Sequence, residues 1–132
     1  MKVLLDHNLS PAIAQALSAL FYPQHEVVAL RDKFSPDTPD AQWIGALGRE
    51  GRWVVISGDR RITRNKAEYR AFRDSNLIGF FLSKGLYKAK VIKQAERILA
   101  LWERMETIAH NIQGGALFEL PMRSQLIKQL KE

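Results

Sequence analysis

Four short apolar runs set what this chain can become: VLL ending at Asp6, HEVVAL from His25, WVVIS from Trp53 and LIGFFL from Leu77. Each has strand length, shows little apolar–polar alternation, and is separated from the next by a segment with apolar residues at helical spacing. A strand exposed on one face alternates, whereas a strand covered on both faces does not. The pattern therefore predicts an α/β chain with a mainly parallel sheet between two layers of helices, a three-layer α/β/α sandwich.

In the first connecting segment Pro11, Ile13, Ala14, Leu17, Leu20 and Phe21 form the apolar stripe, with Ser10-Pro11 as the helix start; in the second Trp43, Ile44 and Leu47 do so. A third helix is expected over Lys66 to Asp74 with Tyr69 and Phe72 inward. A fourth runs from about Ala89 to Ile108, with Val91, Ile92, Ala95, Ile98, Leu99, Trp102 and Met105 as its core face. Beyond Gly114-Gly115, ALFEL reads as a further strand and MRSQLIKQLKE as a basic amphipathic helix. So short a helix is marginal alone in water, which makes it a docking element for a partner or a second copy; packing back onto its own domain is the competing expectation.

The strand ends carry the chemistry. In open parallel sheets ligands bind beyond the carboxyl ends of the strands, and Asp6 ends the first run, Asp59 follows the third by two residues, and Asp37 and Asp40 lie after the second. Asp6 is not needed as a helix cap, because Ser10 fills that position. Asp40 also suits a first helical turn after a Thr38-Pro39 start, Asp37 suits a turn, and Asp59 suits an Asx turn. Carboxylates gathered at one edge repel unless a cation intervenes, and a hard divalent ion such as Mg²⁺ or Mn²⁺ is the natural one. Arg60, Arg61, Arg64 and Lys66 follow Asp59 directly and could hold phosphates. A formal charge of +6 favours a polyanion partner in the same direction.

Other chemistries find little support. The absence of cysteine excludes disulfide scaffolds, thiolate metal sites and thiol catalysis, and makes the cytoplasm the expected address. No run approaches the length of a membrane span. His7, His25 and His110 make no zinc spacing, so His7 reads as a loop residue, and no glycine-rich phosphate loop occurs. The three tryptophans, Trp43, Trp53 and Trp102, read as core.

The segments LLDHNLSP, TPDAQWIGALGREG and RWVVISGD, in that order, resemble the PIN-like nucleases, particularly the VapC45-like toxin group, over roughly Met1 to Trp102. The resemblance implies an Mg²⁺- or Mn²⁺-dependent endoribonuclease neutralised by a cognate antitoxin. Asp6, Asp40 and Asp59 would be its catalytic, metal-binding acids, and Ser57 a supporting hydroxyl. Residues 1–113 would form the catalytic domain and 114–132 its strand-and-helix extension, with a homodimer as a possible assembly. The chain departs from the family in one place. Many PIN domains have a further acid two residues after the third, where this chain has Arg61; Glu68 or Asp37 could supply the missing carboxylate. Two other readings stay open: a catalytically inactive PIN-like module that binds RNA or a partner, and a receiver-like phosphoacceptor domain with Asp59 and Lys84 as landmarks. The short interval between Asp59 and Lys84 argues against the latter.

Overall fold

The structure is a computed structural model that describes residues 1–59 and 61–130, with the backbone alone for Arg61 and Ile62. Along the chain come β1 (Lys2–Leu5), α1 (Pro11–Phe21), β2 (Glu26–Ala29), α2 (Leu30–Lys33), α3 (Asp40–Glu50), β3 (Trp53–Ser57) and α4 (Arg61–Arg64). They are followed by α5 (Lys66–Arg73), β4 (Ile78–Leu82), α6 (Lys84–Tyr87), α7 (Val91–Asn111), β5 (Leu117–Leu120) and β6 (Lys128–Gln129). All four apolar runs are strands, arranged in one sheet of order β2-β1-β3-β4-β5-β6. Every pairing is parallel except β5 with β6.

The missing alternation has its expected cause. Val3 and Leu5 of β1, Val54 and Ile56 of β3, and Ile78, Phe80 and Leu82 of β4 pack on one face beneath α1 and α7. Their neighbours Leu4, Trp53, Val55 and Phe81 pack on the other beneath α3 and α5. Each such side chain, fully buried, contributes roughly 1.5–3 kcal/mol, so both helical layers are needed and the three-layer sandwich follows. On the first face Phe21 stacks on Trp102 at 4.3 Å between centroids and ties α1 to α7. No helix among the described residues is long and apolar enough to cross a membrane.

Several expectations are corrected. The inward face of α7 is rotated: Val91, Ile92 and Leu99 are exposed, whereas Gln94 and Arg97 are buried alongside Ile98, Leu101, Trp102 and Met105. Both buried polar side chains are engaged in serving loop carbonyls. Gln94 Nε2 donates to the Tyr87 carbonyl at 3.0 Å, and Arg97 donates to the carbonyls of Pro121 and Ser124. These hydrogen bonds tie the inward face of α7 to the end of α6 and to the segment after β5, on the side where Ile98, Leu101, Trp102 and Met105 pack. Leu30 leaves the β2 run to begin α2.

The tail is corrected too. Residues 122–130 contain no helix; Lys128–Gln129 pair antiparallel with β5. Leu130 N–H donates to the Leu117 carbonyl at 2.7 Å, and Ile127 and Leu130 pack on opposite layers of the domain's own core. The open edge of β5 offers the segment ladder hydrogen bonds together with core contacts for Ile127 and Leu130, whereas a short solvated helix would be marginal by itself. The turn into β5 does match the glycine break. Gly115 has φ +94°, and a Cβ there would lie 2.4 Å from the Arg73 carbonyl oxygen.

Candidate active site

From β1 the chain crosses to β2 on one side, and from β3 to β4 on the other, so the loops after β1 and β3 diverge at a topological switch point. Leu5 and Ile56 are in register there, and Asp6 N–H donates to the Ile56 carbonyl at 2.9 Å, which seats Asp6 at the lip of the sheet. The cleft above it has a volume of about 460 Å³ and is lined by Asp6, Asp40, Asp59 and Glu68, with Asn8 and Ser57 between them.

Asp6 is only 6% exposed. Burial pushes its carboxyl above the usual carboxylate range, and the nearby Asp40 charge adds to that; the His7 imidazole, the His7 N–H and the Ser57 hydroxyl pull against it. His7 N–H donates to Oδ1 at 2.7 Å, His7 Nδ1 lies 3.0 Å from the same oxygen, and Ser57 Oγ donates to Oδ2 at 3.0 Å. Ser57 thus hydrogen-bonds the Asp6 carboxylate directly.

Asn8 staples the two loops together. Its Nδ2 donates to Ser57 Oγ at 3.2 Å, and its Oδ1 accepts from Gly58 N–H at 2.8 Å. Gly58 also permits a close approach, since a Cβ there would lie 2.4 Å from the Tyr87 ring. Neither His7 nor Asn8 stands out as a site residue from sequence. The available signal is position: they are the two residues directly after a carboxylate that ends a central strand.

Asp40 is the first residue of α3, not its second: Pro39 occupies the cap position, and Thr38 N–H is turned to the Ser35 carbonyl. Its Oδ1 accepts from Trp43 Nε1 at 2.9 Å, so the indole one turn along fixes the carboxylate's orientation. Asp59 is half-buried, and its backbone carbonyl lies 3.3 Å from Ser57 Oγ. Of the two acids that could replace the one absent at Arg61, Glu68 lines the cleft. Asp37 does not; it is exposed, and the Ser35 hydroxyl donates to its carboxylate and holds it below the usual range. Arg64 lines the cleft and is exposed, while Lys66 is exposed but lies outside the lining. Arg60 and the Arg61 side chain lie outside the described residues. Asn65 is a further lining residue that the sequence pattern does not mark; it caps α5 by accepting from Ala67 N–H and Glu68 N–H at 3.0 and 3.1 Å.

The four carboxylates of the cleft offer hard oxygen donors, which suit Mg²⁺ or Mn²⁺. Among the described residues no three acidic or imidazole groups gather into a metal-holding cluster. The carboxylates flank an open cleft, and that fits an ion of the Mg²⁺ kind, which keeps several waters and is held through one or two carboxylates together with substrate phosphates.

A family model described as PIN like domain matches residues 1–84, a stretch that includes every residue lining the cleft. No curated protein and no solved structure matches the chain.

Proposed function

The chain belongs to the PIN-like domain family, and on that premise we propose that it is a metal-dependent endoribonuclease, the toxin of a toxin–antitoxin pair held in check by a cognate antitoxin in the cytoplasm. The PIN-like fold is typically a nuclease fold. The observation that carries the reading is Asp6: a carboxylate buried at the switch point, raised by its surroundings, and sharing one cleft with Asp40, Asp59 and Glu68. The toxin assignment rests on the resemblance of LLDHNLSP, TPDAQWIGALGREG and RWVVISGD to that group.

Asp6, Asp40 and Asp59 are the acids from which one or two would hold Mg²⁺ or Mn²⁺ together with a substrate phosphate, and the ion would supply Lewis-acid stabilisation of phosphate charge and lower the pKa of water. Around them the protein's task is orientation. Ser57 holds one Asp6 oxygen and the His7 N–H the other, and Trp43 holds Asp40, so the carboxylates present fixed lone pairs to the cleft. Arg64 at the rim, with Arg60, Arg61 and Lys66 around it in sequence, would position the RNA backbone through its phosphates. The strand order β2-β1-β3-β4-β5 also occurs in receiver domains. Here, however, Lys84 follows β4, with the parallel strand β5 still to come, and it does not line the cleft.

The test is cleavage of single-stranded RNA with Mn²⁺, with Mg²⁺ and in chelator. Cleavage that needs the metal and disappears in both Asp6→Asn and Asp59→Asn is the expected result. RNA affinity without turnover in any metal would identify an inactive binding module instead.

A further inference from the structure

Beside the cleft, across the exposed His7, lies a second cavity of about 320 Å³. Its walls are Leu30, Phe34, Pro36 and Trp43 together with the hydroxyl residues Ser35 and Thr38, with Arg31 at the edge. We propose that this cavity receives one unstacked nucleobase of the RNA strand whose backbone lies in the cleft, a proposal that rests on the ribonuclease reading above.

Continuity comes first. His7 lines both cavities, and Trp43 joins them as well: its ring walls the side pocket, while its Nε1 donates to Asp40 in the cleft. A group seated against Trp43 is thereby placed at a set distance from a carboxylate of the site. Chemistry comes second. Single-stranded RNA is recognised by splaying a base out of its stack onto aromatic, apolar or guanidinium surfaces. Phe34 is half-buried and so offers an accessible ring, whereas Leu30 and Trp43 are buried and form the floor. Charge comes third. The Arg31 guanidinium is exposed and lies 3.4 Å from the His7 carbonyl, at the seam between pocket and cleft, where the phosphate joining a seated base to the rest of the strand would pass. The cavity falls within the roughly 300–1,000 Å³ of small-ligand sites, and its mainly apolar walls, with two hydroxyl residues and a basic seam, suit a base joined to a phosphate better than an uncharged ligand.

The cleft by itself handles only phosphate and would cut without preference. The pocket would give the enzyme a nucleotide position at which stacking contributes to binding, and so would set where the strand is held for cleavage.

The experiment uses the full chain and short single-stranded oligoribonucleotides carrying 2-aminopurine at successive positions, titrated in EDTA. Quenching of the fluorophore at one position on binding is expected. Phe34→Leu keeps the apolar bulk but removes the stacking face. It should weaken intact strands by about 5- to 100-fold and leave a strand abasic at that position unaffected. An equal effect on intact and abasic strands, or no quenching at any position with the wild-type protein, overturns the base subsite. If metal-dependent cleavage persists in that case, only the subsite has failed; absence of both RNA binding and cleavage removes the ribonuclease reading as well.

Discussion

Replacing Asn8 with alanine tests whether the two loops that carry Asp6 and Asp59 are held together by the side chain between them. The substitution removes the 2.8 Å acceptor of Gly58 N–H and the 3.2 Å donor to Ser57 Oγ. Gly58 is buried, so its orphaned N–H costs about 1–3 kcal/mol. Asn8 itself is half-buried and lines the cleft, so water can partly replace its oxygen, which confines the loss to about 1–2 kcal/mol. Ser57 keeps its stronger bond to the Asp6 carboxylate and adds little to the cost. With an unfolding entropy of about 2.1 cal/mol/K per residue over 132 residues, the melting temperature should fall by about 4–7 °C. Thermal unfolding followed by circular dichroism in EDTA measures it. Asn8→Asp is the companion: it keeps an oxygen for Gly58 N–H but adds a negative charge beside Asp6, so its loss should be larger in EDTA and partly recovered by Mn²⁺. An Asn8→Ala protein that melts with the wild type would refute the reasoning, because the loops would then be held by other interactions.

Asp6→Asn should be more stable than the wild type in EDTA at neutral pH. Because the folded-state pKa of Asp6 is raised, its protonated form is the one the fold favours; that contribution is complete below the unfolded value near 3.8 and is lost as pH rises through the folded pKa. The variant's advantage should therefore grow with pH across that window and vanish at its acid end, and melting curves that run parallel at every pH would count against it. Arg64→Ala should flatten the salt dependence of single-stranded RNA binding by roughly 0.7 in log–log slope for each phosphate that the guanidinium neutralises; an unchanged slope returns Arg64 to the solvated surface. Removing residues 122–132 should lower the monomer's melting temperature without changing self-association, since Ile127 and Leu130 pack on the domain's own core; weakened self-association in a chain of unchanged stability would contradict the strand pairing seen at the tail.

Much of the molecule is local in origin. The unalternating runs determined the strands and their two-sided burial, Ser10-Pro11 determined where α1 starts, and the position of Asp6 and Asp59 just past strand ends placed them at one edge of the sheet. Such features follow from periodicity and caps, which a chain carries within a few residues. What the tertiary structure decided depends on groups far apart in sequence. Arg97 lies inward where its guanidinium reaches the carbonyls of Pro121 and Ser124, more than twenty residues away. The tail becomes a strand because β5 has an open edge, although its apolar spacing suits a helix equally. Asn8 matters because Gly58 N–H and Ser57 Oγ arrive beside it from another strand. Asp37 and Glu68 look alike as spare acids in the sequence, yet only Glu68 lines the cleft, because α5 packs against α3 while the Ser35 hydroxyl engages Asp37 on the surface. Hydrogen-bond demand and edge pairing are satisfied between distant segments, and no local pattern records which segments will meet.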